Sequence, residues 1–182
     1  KWEHLGSASD GGNGWPPKRY CPVLVGWNGR LYLWGGRDSQ DRAPEFYNDL
    51  WEYDPHEGAW TCLQKNQADD VARPSPRYGL GYAVIGDSLY LFGGFAGGQG
   101  EHPQLNDLWR YDLRAGRWNC LEPQSGAKDT SAGAERPAVK RIPVMASADG
   151  SVYLFGGLDL ATGPRGDGPL AAYNDLWRGT PV

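Results

Sequence analysis

Apolar residues fall in short runs broken by polar, glycine-rich turns. Val23-Leu24-Val25 leads through Trp27-Asn28-Gly29-Arg30 into Leu31-Tyr32-Leu33-Trp34, and Tyr82-Ala83-Val84-Ile85 leads through Gly86-Asp87-Ser88 into Leu89-Tyr90-Leu91-Phe92. Each pair is a hairpin signal; its two strands are called a and b. Strand b is apolar on both faces, which an antiparallel strand needs only where other sheets cover it above and below. In the next run, strand c, Trp51 and Tyr53 share one face, and the turn Asp54-Pro55-His56-Glu57-Gly58 returns the chain into strand d at Trp60. The segment Asp112-Leu113-Arg114-Ala115-Gly116 repeats that turn before Trp118.

The pattern repeats. Trp-x-x-Leu occurs at Trp2–Leu5, Trp60–Leu63 and Trp118–Leu121, at two equal intervals of 58 residues. Glycine doublets follow strand b in the same phase, at Gly35-Gly36, Gly93-Gly94 and Gly156-Gly157, the third displaced by five residues. They predict an end to the strand and the exit of a loop, since only glycine takes positive φ freely and lets a neighbouring backbone come close. Asn-Asp-Leu-Trp occurs at Asn48–Trp51, Asn106–Trp109 and Asn174–Trp177.

The order Pro-Arg, apolar strand, Leu-Tyr-Leu-Phe-Gly-Gly, variable loop, Asn-Asp-Leu-Trp-x-Tyr-Asp, Gly-x-Trp-x-x-Leu resembles the kelch repeat of β-propellers, in register over essentially the whole chain. The resemblance implies an all-β fold of four-stranded blades, strand a lining a central channel and d outermost. It also implies that the b–c and d–a loops form one functional face. Residues 1–182 then make a single kelch-repeat domain with three blades' worth of strands: a lone d at Trp2–Leu5, two complete a-b-c-d sets, and a final a-b-c ending at Trp177-Arg178. Propellers have four to eight blades, so three do not close alone. Two copies would make a six-bladed ring, the N-terminal strand of each completing the third blade of the other in an isologous homodimer. The competing explanation is a fragment of a longer kelch protein, which Lys1 in place of a starting Met allows.

Composition changes this picture little. Twenty-seven Gly and 14 Pro suit a turn-rich chain, and 9 Trp, 10 Tyr and 4 Phe supply an aromatic core. The net charge of −4 without long basic runs argues against nucleic acid as a partner. No apolar stretch is long enough to span a membrane or to act as a signal peptide. Cys21, Cys62 and Cys120 are odd in number and lack CxxC spacing, so reduced thiols and a cytoplasmic location are favoured. His4, His56 and His102 are isolated, and His4 takes the strand d position of Cys62 and Cys120. Some plant kelch proteins carry iron on Glu-x3-Asp-x3-His; here Glu45 and Asp49 keep that spacing but Tyr53 replaces the histidine. Ser147–Ser151 resembles a sialidase Asp-box, but it lacks the Trp and lies in the a–b hairpin. No catalytic residue, cofactor or metal is assigned.

Candidate binding residues follow by subtraction. Arg19 and Arg77 precede strand a in matching phase, with Lys140 as the third equivalent; their first reading is structural, satisfying carbonyls between blades, and their second is support for a ligand near the channel. Tyr20 and Tyr78 share that ambiguity. Arg37 follows a glycine doublet where the siblings carry Phe95 and Leu158, so the repeat does not demand a cation there. Trp15, in a polar loop, is either a plug over the blade or a contact anchor. Arg37, Trp15, Phe95 and Arg165 mark the variable loops. The first function reading is a non-catalytic protein- or peptide-binding module for an acidic peptide or protein segment. The alternative is a propeller enzyme acting on a small sugar, mutarotase-like, using Glu45 or Glu101 with a nearby Arg.

Overall fold

A computed structural model of the chain describes residues 1–7, 14–38, 45–96, 104–125, 136–160 and 170–180. They contain strands and no helix: β1 (Val23–Trp27), β2 (Arg30–Trp34), β3 (Leu50–Asp54), β4 (Ala59–Gln64), β5 (Arg77–Tyr78), β6 (Gly81–Ile85), β7 (Ser88–Ala96), β8 (Gln104–Asp112), β9 (Arg117–Glu122), β10 (Val144–Ala148), β11 (Ser151–Phe155), β12 (Leu158–Leu160), β13 (Leu170–Ala172) and β14 (Leu176–Gly179). Two compact units divide the chain, Lys1–Asp69 with Pro76–Tyr78, and Asp70–Ser75 with Gly79–Val182.

The first unit holds one antiparallel sheet in the order β1-β2-β3-β4, the a-b-c-d order read from the sequence. Asn28 and Gly29 close its first hairpin with φ of 48° and 75°, matching the right-handed twist of the strands they join. Trp34 and Leu50 are fully buried within the sheet. Trp2–Leu5 forms no strand here, and Trp2 is wholly exposed.

The second unit carries the next two copies. One sheet pairs β6 with β7, β7 with β8 and β8 with β9; the other has the order β10-β11-β14. Strands β6 and β10, the a strands, come together: a Cβ on Gly81 would sit 3.0 Å from both Leu154 and Met145 side chains. Ala83, Tyr90 and Val152 are buried together between the sheets, with Ile85, Leu121 and Met145 against them. Apolar strands are thus covered by a neighbouring sheet.

One expectation is corrected. Strand b does not end at the glycine doublet in the second copy, because β7 runs through Gly93-Gly94 to Ala96 and stays paired with β8, with a register shift between Phe92 and Gly94. The third copy makes the same extension as β12 and β13. Positive φ at both glycines, 64° and 97° in Gly93 and Gly94, absorbs the irregularity as a bulge, so pairing resumes beyond it.

The doublets also receive the backbone that leads into the next a strand. Gly94 N–H donates to Lys140 O at 2.9 Å while Lys140 N–H donates to Leu105 O at 3.1 Å; Gly36 and Arg77 with Tyr47 repeat both bonds at 2.9 and 3.1 Å. A Cβ on Gly93 would stand 2.8 Å from Leu105 O and 3.0 Å from Lys140 O. Gly86, at φ 56°, has open space around it. Gly86→Ala should therefore cost only the ~1–2 kcal/mol of left-handed backbone, and Gly93→Ala clearly more; equal shifts of the two denaturation midpoints would contradict the close approach.

Candidate binding face

The Asn-Asp-Leu-Trp motif is a polar anchor at the start of strand c. Asp49 accepts from Trp51 Nε1 at 2.7 Å and from both Arg19 guanidinium nitrogens, at 2.6 and 2.8 Å. Arg19 also donates to Gly35 O at 2.9 Å, and its guanidinium lies 4.2 Å from the Tyr47 ring centre. In the third copy Asp175 accepts from Trp177 Nε1 at 2.6 Å and from Lys140 Nζ, which lies 4.1 Å from the Tyr173 ring centre. The second copy keeps the Trp109 Nε1 to Asp107 bond at 2.7 Å. The neighbouring asparagines fasten the loop after strand d: Asn48 donates to Gln67 O and accepts from Gln67 N–H, and Asn106 donates to Pro137 O and accepts from Ser125 N–H.

Burial raises Tyr47 and Tyr173 to about 12, with Glu45 and Asp159 as the next causes respectively. Both phenols therefore remain protonated donors at neutral pH. Burial pushes the Asp175 carboxyl upward, but hydrogen bonds from Lys140 and Trp177 and the Lys140 charge outweigh it, holding the group below the usual carboxylate range.

Arg37 has no such carboxylate. Its backbone pairs with Tyr20, and its guanidinium lies 4.9 Å from the ring centre of Tyr20, 5.2 Å from Tyr78 and 5.7 Å from Phe46. Its Nε is buried without a hydrogen-bond acceptor, and no acidic group pairs with it among the described residues. Tyr20 and Tyr78 meet edge to face at 5.6 Å, leaving Tyr20 37% exposed at the rim. The arrangement is a cation ringed by aromatic faces.

The other candidates are placed differently. Phe95 packs under Arg141, 5.3 Å from guanidinium carbon to ring centre. Trp15 is half-buried against Trp60 of β4, ring centres 6.4 Å apart, and closes over Gly6, whose added Cβ would meet the indole at 2.9 Å; it caps strand d. Arg77 is buried, while Arg165, Glu101 and His102 lie outside the described residues. Phe46 and Arg141 were missed by the sequence reading. The signal for Arg141 was an exchange between two repeat positions: Tyr20, Tyr78 and Arg141 precede strand a, Arg37, Phe95 and Leu158 follow the doublet, and the contact Arg37 makes with Tyr78 returns between Phe95 and Arg141 with the roles reversed.

Among families, the model for the KLHDC2/KLHL20/DRC7 Kelch-repeats domain matches residues 2–134. Similar curated proteins include the dynein alpha chain of the flagellar outer arm of Chlamydomonas reinhardtii, 29% identical over 109 residues, covering 60% of this chain and 2% of that protein. N-acetylneuraminate epimerase of Pasteurella multocida (strain Pm70) is 37% identical over 99 residues, covering 54% and 23%. Human host cell factor 1 is 32% identical over 93 residues, covering 48% and 4%. The match spans less than a quarter of each of these relatives' lengths.

Removing the anchor should be costly. Asp49→Ala strands Arg19, whose side chain is 4% exposed, and loss of one partner of a buried pair costs ~3–5 kcal/mol; a chemical-denaturation ΔG within 1 kcal/mol of the parent would refute that role, on the scale of the same estimate. Because the Asp175 carboxyl is depressed on folding, its stabilisation is present above the ordinary value of ~3.9 and is lost as pH falls through the lower folded value. Asp175→Asn should therefore make the decline of stability on acidification shallower, as read from midpoints across the acid range.

Proposed function

Since the chain belongs to the kelch-repeat family, we propose that it is a non-catalytic interaction module that holds an acidic peptide or protein segment on the face bearing its b–c and d–a loops. The observation that carries this reading is Arg37. Arg19 and Lys140 are neutralised by Asp49 and Asp175, whereas Arg37, a partly buried residue, has no acid partner among the described residues. Arginine forks onto carboxylates in two parallel hydrogen bonds, and surrounding rings exclude the water that would weaken them. Tyr20, at the rim, supplies contact area. Arg165 is kept in the same proposal by its loop position alone.

The reading extends to assembly: two copies complete a six-bladed ring as a homodimer by strand exchange. Light scattering on the purified chain should then give about twice its 20.0 kDa mass, and a monomer at high concentration would remove this part of the proposal.

A second reading, an enzyme acting on a small anionic sugar, is favoured by the 37% identity to the epimerase. Arg37 could hold a sugar carboxylate as well as a peptide's. Binding of acidic and basic peptide pools and of a free sugar acid, measured by calorimetry, separates the readings. Acidic peptides should bind, and Arg37→Ala should weaken them by ~30-fold or more, the effect of a typical interface hot spot, with an unchanged thermal melt. Preference for basic peptides, or undiminished binding by the variant, would overturn the site; binding of the sugar acid alone would favour the enzyme.

A further inference from the structure

We propose that Asn66, in the loop after strand d, is a positioning residue for the Arg37 site: it holds the Phe46 ring against the guanidinium and keeps the Glu45 carboxylate on the opposite face of the b–c arm. This rests on the acid-binding reading of Arg37 and adds what leaves that cation without an acid of its own.

The geometry begins with the chain beyond the first glycine doublet. Arg37 pairs antiparallel with Tyr20 on one side and with Phe46 on the other. Tyr47 N–H donates to Gly36 O at 2.9 Å and Asp38 N–H to Glu45 O at 3.0 Å, so the pairing continues to either side of Arg37. Directly paired residues put their side chains on one face and their chain neighbours on the other. Tyr20, Arg37 and Phe46 accordingly share a face, where the guanidinium lies 4.9 Å from the Tyr20 ring centre and 5.7 Å from that of Phe46. Glu45 shares the other face with Tyr47, whose hydroxyl donates to its carboxylate at 3.4 Å. An acid thus stands one residue from the wall of the cage without entering it, and Arg37 Nε is left without an acceptor.

Asn66 fixes both neighbours. Its Nδ2 donates to Phe46 O at 3.1 Å and to Glu45 Oε1 at 3.3 Å, and its Oδ1 accepts from Asn48 N–H at 2.8 Å. One amide therefore ties three residues of the chain that enters strand c.

The second copy separates what the repeat needs from what Arg37 needs. Gln124, 58 residues on, accepts from Asn106 N–H at 2.7 Å and donates to Gln104 O at 3.3 Å. These are the same two backbone bonds, and they belong to the repeat. The bond to a carboxylate does not. Pro103 and Ala171 stand where the first copy has Glu45, and Gln104 and Ala172 stand where it has Phe46. The acid, the ring and the cation at residue 37 occur together in one copy alone. A carboxylate within reach of a guanidinium forks onto the donors that an acidic ligand would use. Two neutral donors holding Glu45 on the far face remove that competitor, while the fixed Phe46 carbonyl keeps the ring in place. Rings order an arginine without supplying acceptors.

The test follows the Arg37 Nε–H resonance of the isotope-labelled intact chain and, by calorimetry, its affinity for a hexaglutamate peptide. In the parent the surrounding rings should displace the resonance from the ordinary arginine position. Asn66→Ala should move it back towards that position and weaken the peptide by on the order of tenfold, the loss of one hydrogen-bonded support. Asn66→Gln should keep both at parent values, since Gln124 makes the two backbone bonds at the same point of the repeat. Adding Glu45→Gln to Asn66→Ala should recover part of the affinity, because the released competitor is then neutral. Circular-dichroism melts show which variants fold. If Asn66→Ala does not, Asn66→Asp replaces it, keeping the acceptor for Asn48 N–H and losing both donations. A resonance and an affinity that stay at parent values, even with a lowered melt, mean a merely structural role; they overturn the proposal and leave the acid-binding reading standing. Weakening that Glu45→Gln does not relieve overturns the part given to Glu45. A parent chain that ignores hexaglutamate while its resonance responds to Asn66→Ala overturns the acid-binding reading and keeps the positioning.

Discussion

Each copy hangs on one carboxylate. Asp49 sits at the mouth of strand c and satisfies the Trp51 indole and the Arg19 fork together, while Arg19 reaches on to the carbonyl of Gly35 at the end of strand b. Three pieces of chain distant in sequence are thereby tied at a point that water does not reach. A buried ion pair gains little stability over an apolar substitute but penalises every arrangement that leaves it half made. Its consequence is register: the b–c loop is clamped at both ends, and what lies between is free to vary in length and chemistry.

That division explains what could be read from the sequence. Hairpin turns were legible because their chemistry is local, as Asn28-Gly29 and Asp149-Gly150 demonstrate at positive φ. The structural reading of Arg19 followed from phase alone, since a cation recurring in every copy at one point serves the repeat. The glycine doublets misled because positive φ is the signature of both a strand end and a bulge, and only the partner strand decides between them. The cluster at Arg37 was half legible. Subtraction singled out the arginine, but its rings come from Tyr20, Phe46 and Tyr78, which meet only after the sheet has formed.

Charge separates scaffold from candidate function more sharply than position does. Arg30 is matched by Glu52 and Asp54, and Arg114 by Asp87, pairs at the surface that contribute little but leave no net demand. Arg37 differs in kind. Its rings give it a place to stand without giving it hydrogen-bond acceptors, and a guanidinium has five donors to satisfy. Cation–π contact tolerates that deficit because arginine is weakly hydrated. Among the described residues its buried Nε is left without an acceptor, and the three rings hold the guanidinium in place.

The third copy bears on how far the repeat can drift and remain itself. Lys140 stands for arginine, Arg141 for tyrosine and Gly179 for tyrosine, yet Asp175 still accepts from Trp177 and from the cation at residue 140. Lysine cannot reproduce a two-pronged fork, but it preserves the charge that the buried carboxylate requires. Arg141 and Phe95 restore the cation–aromatic contact with the two roles exchanged. Each of these changes conserves an interaction while replacing its chemistry. Gly179 is the exception: it lacks the ring that the sibling sheets bury against strand d, and Val152 stands close in its place, 3.0 Å from where a Cβ would be.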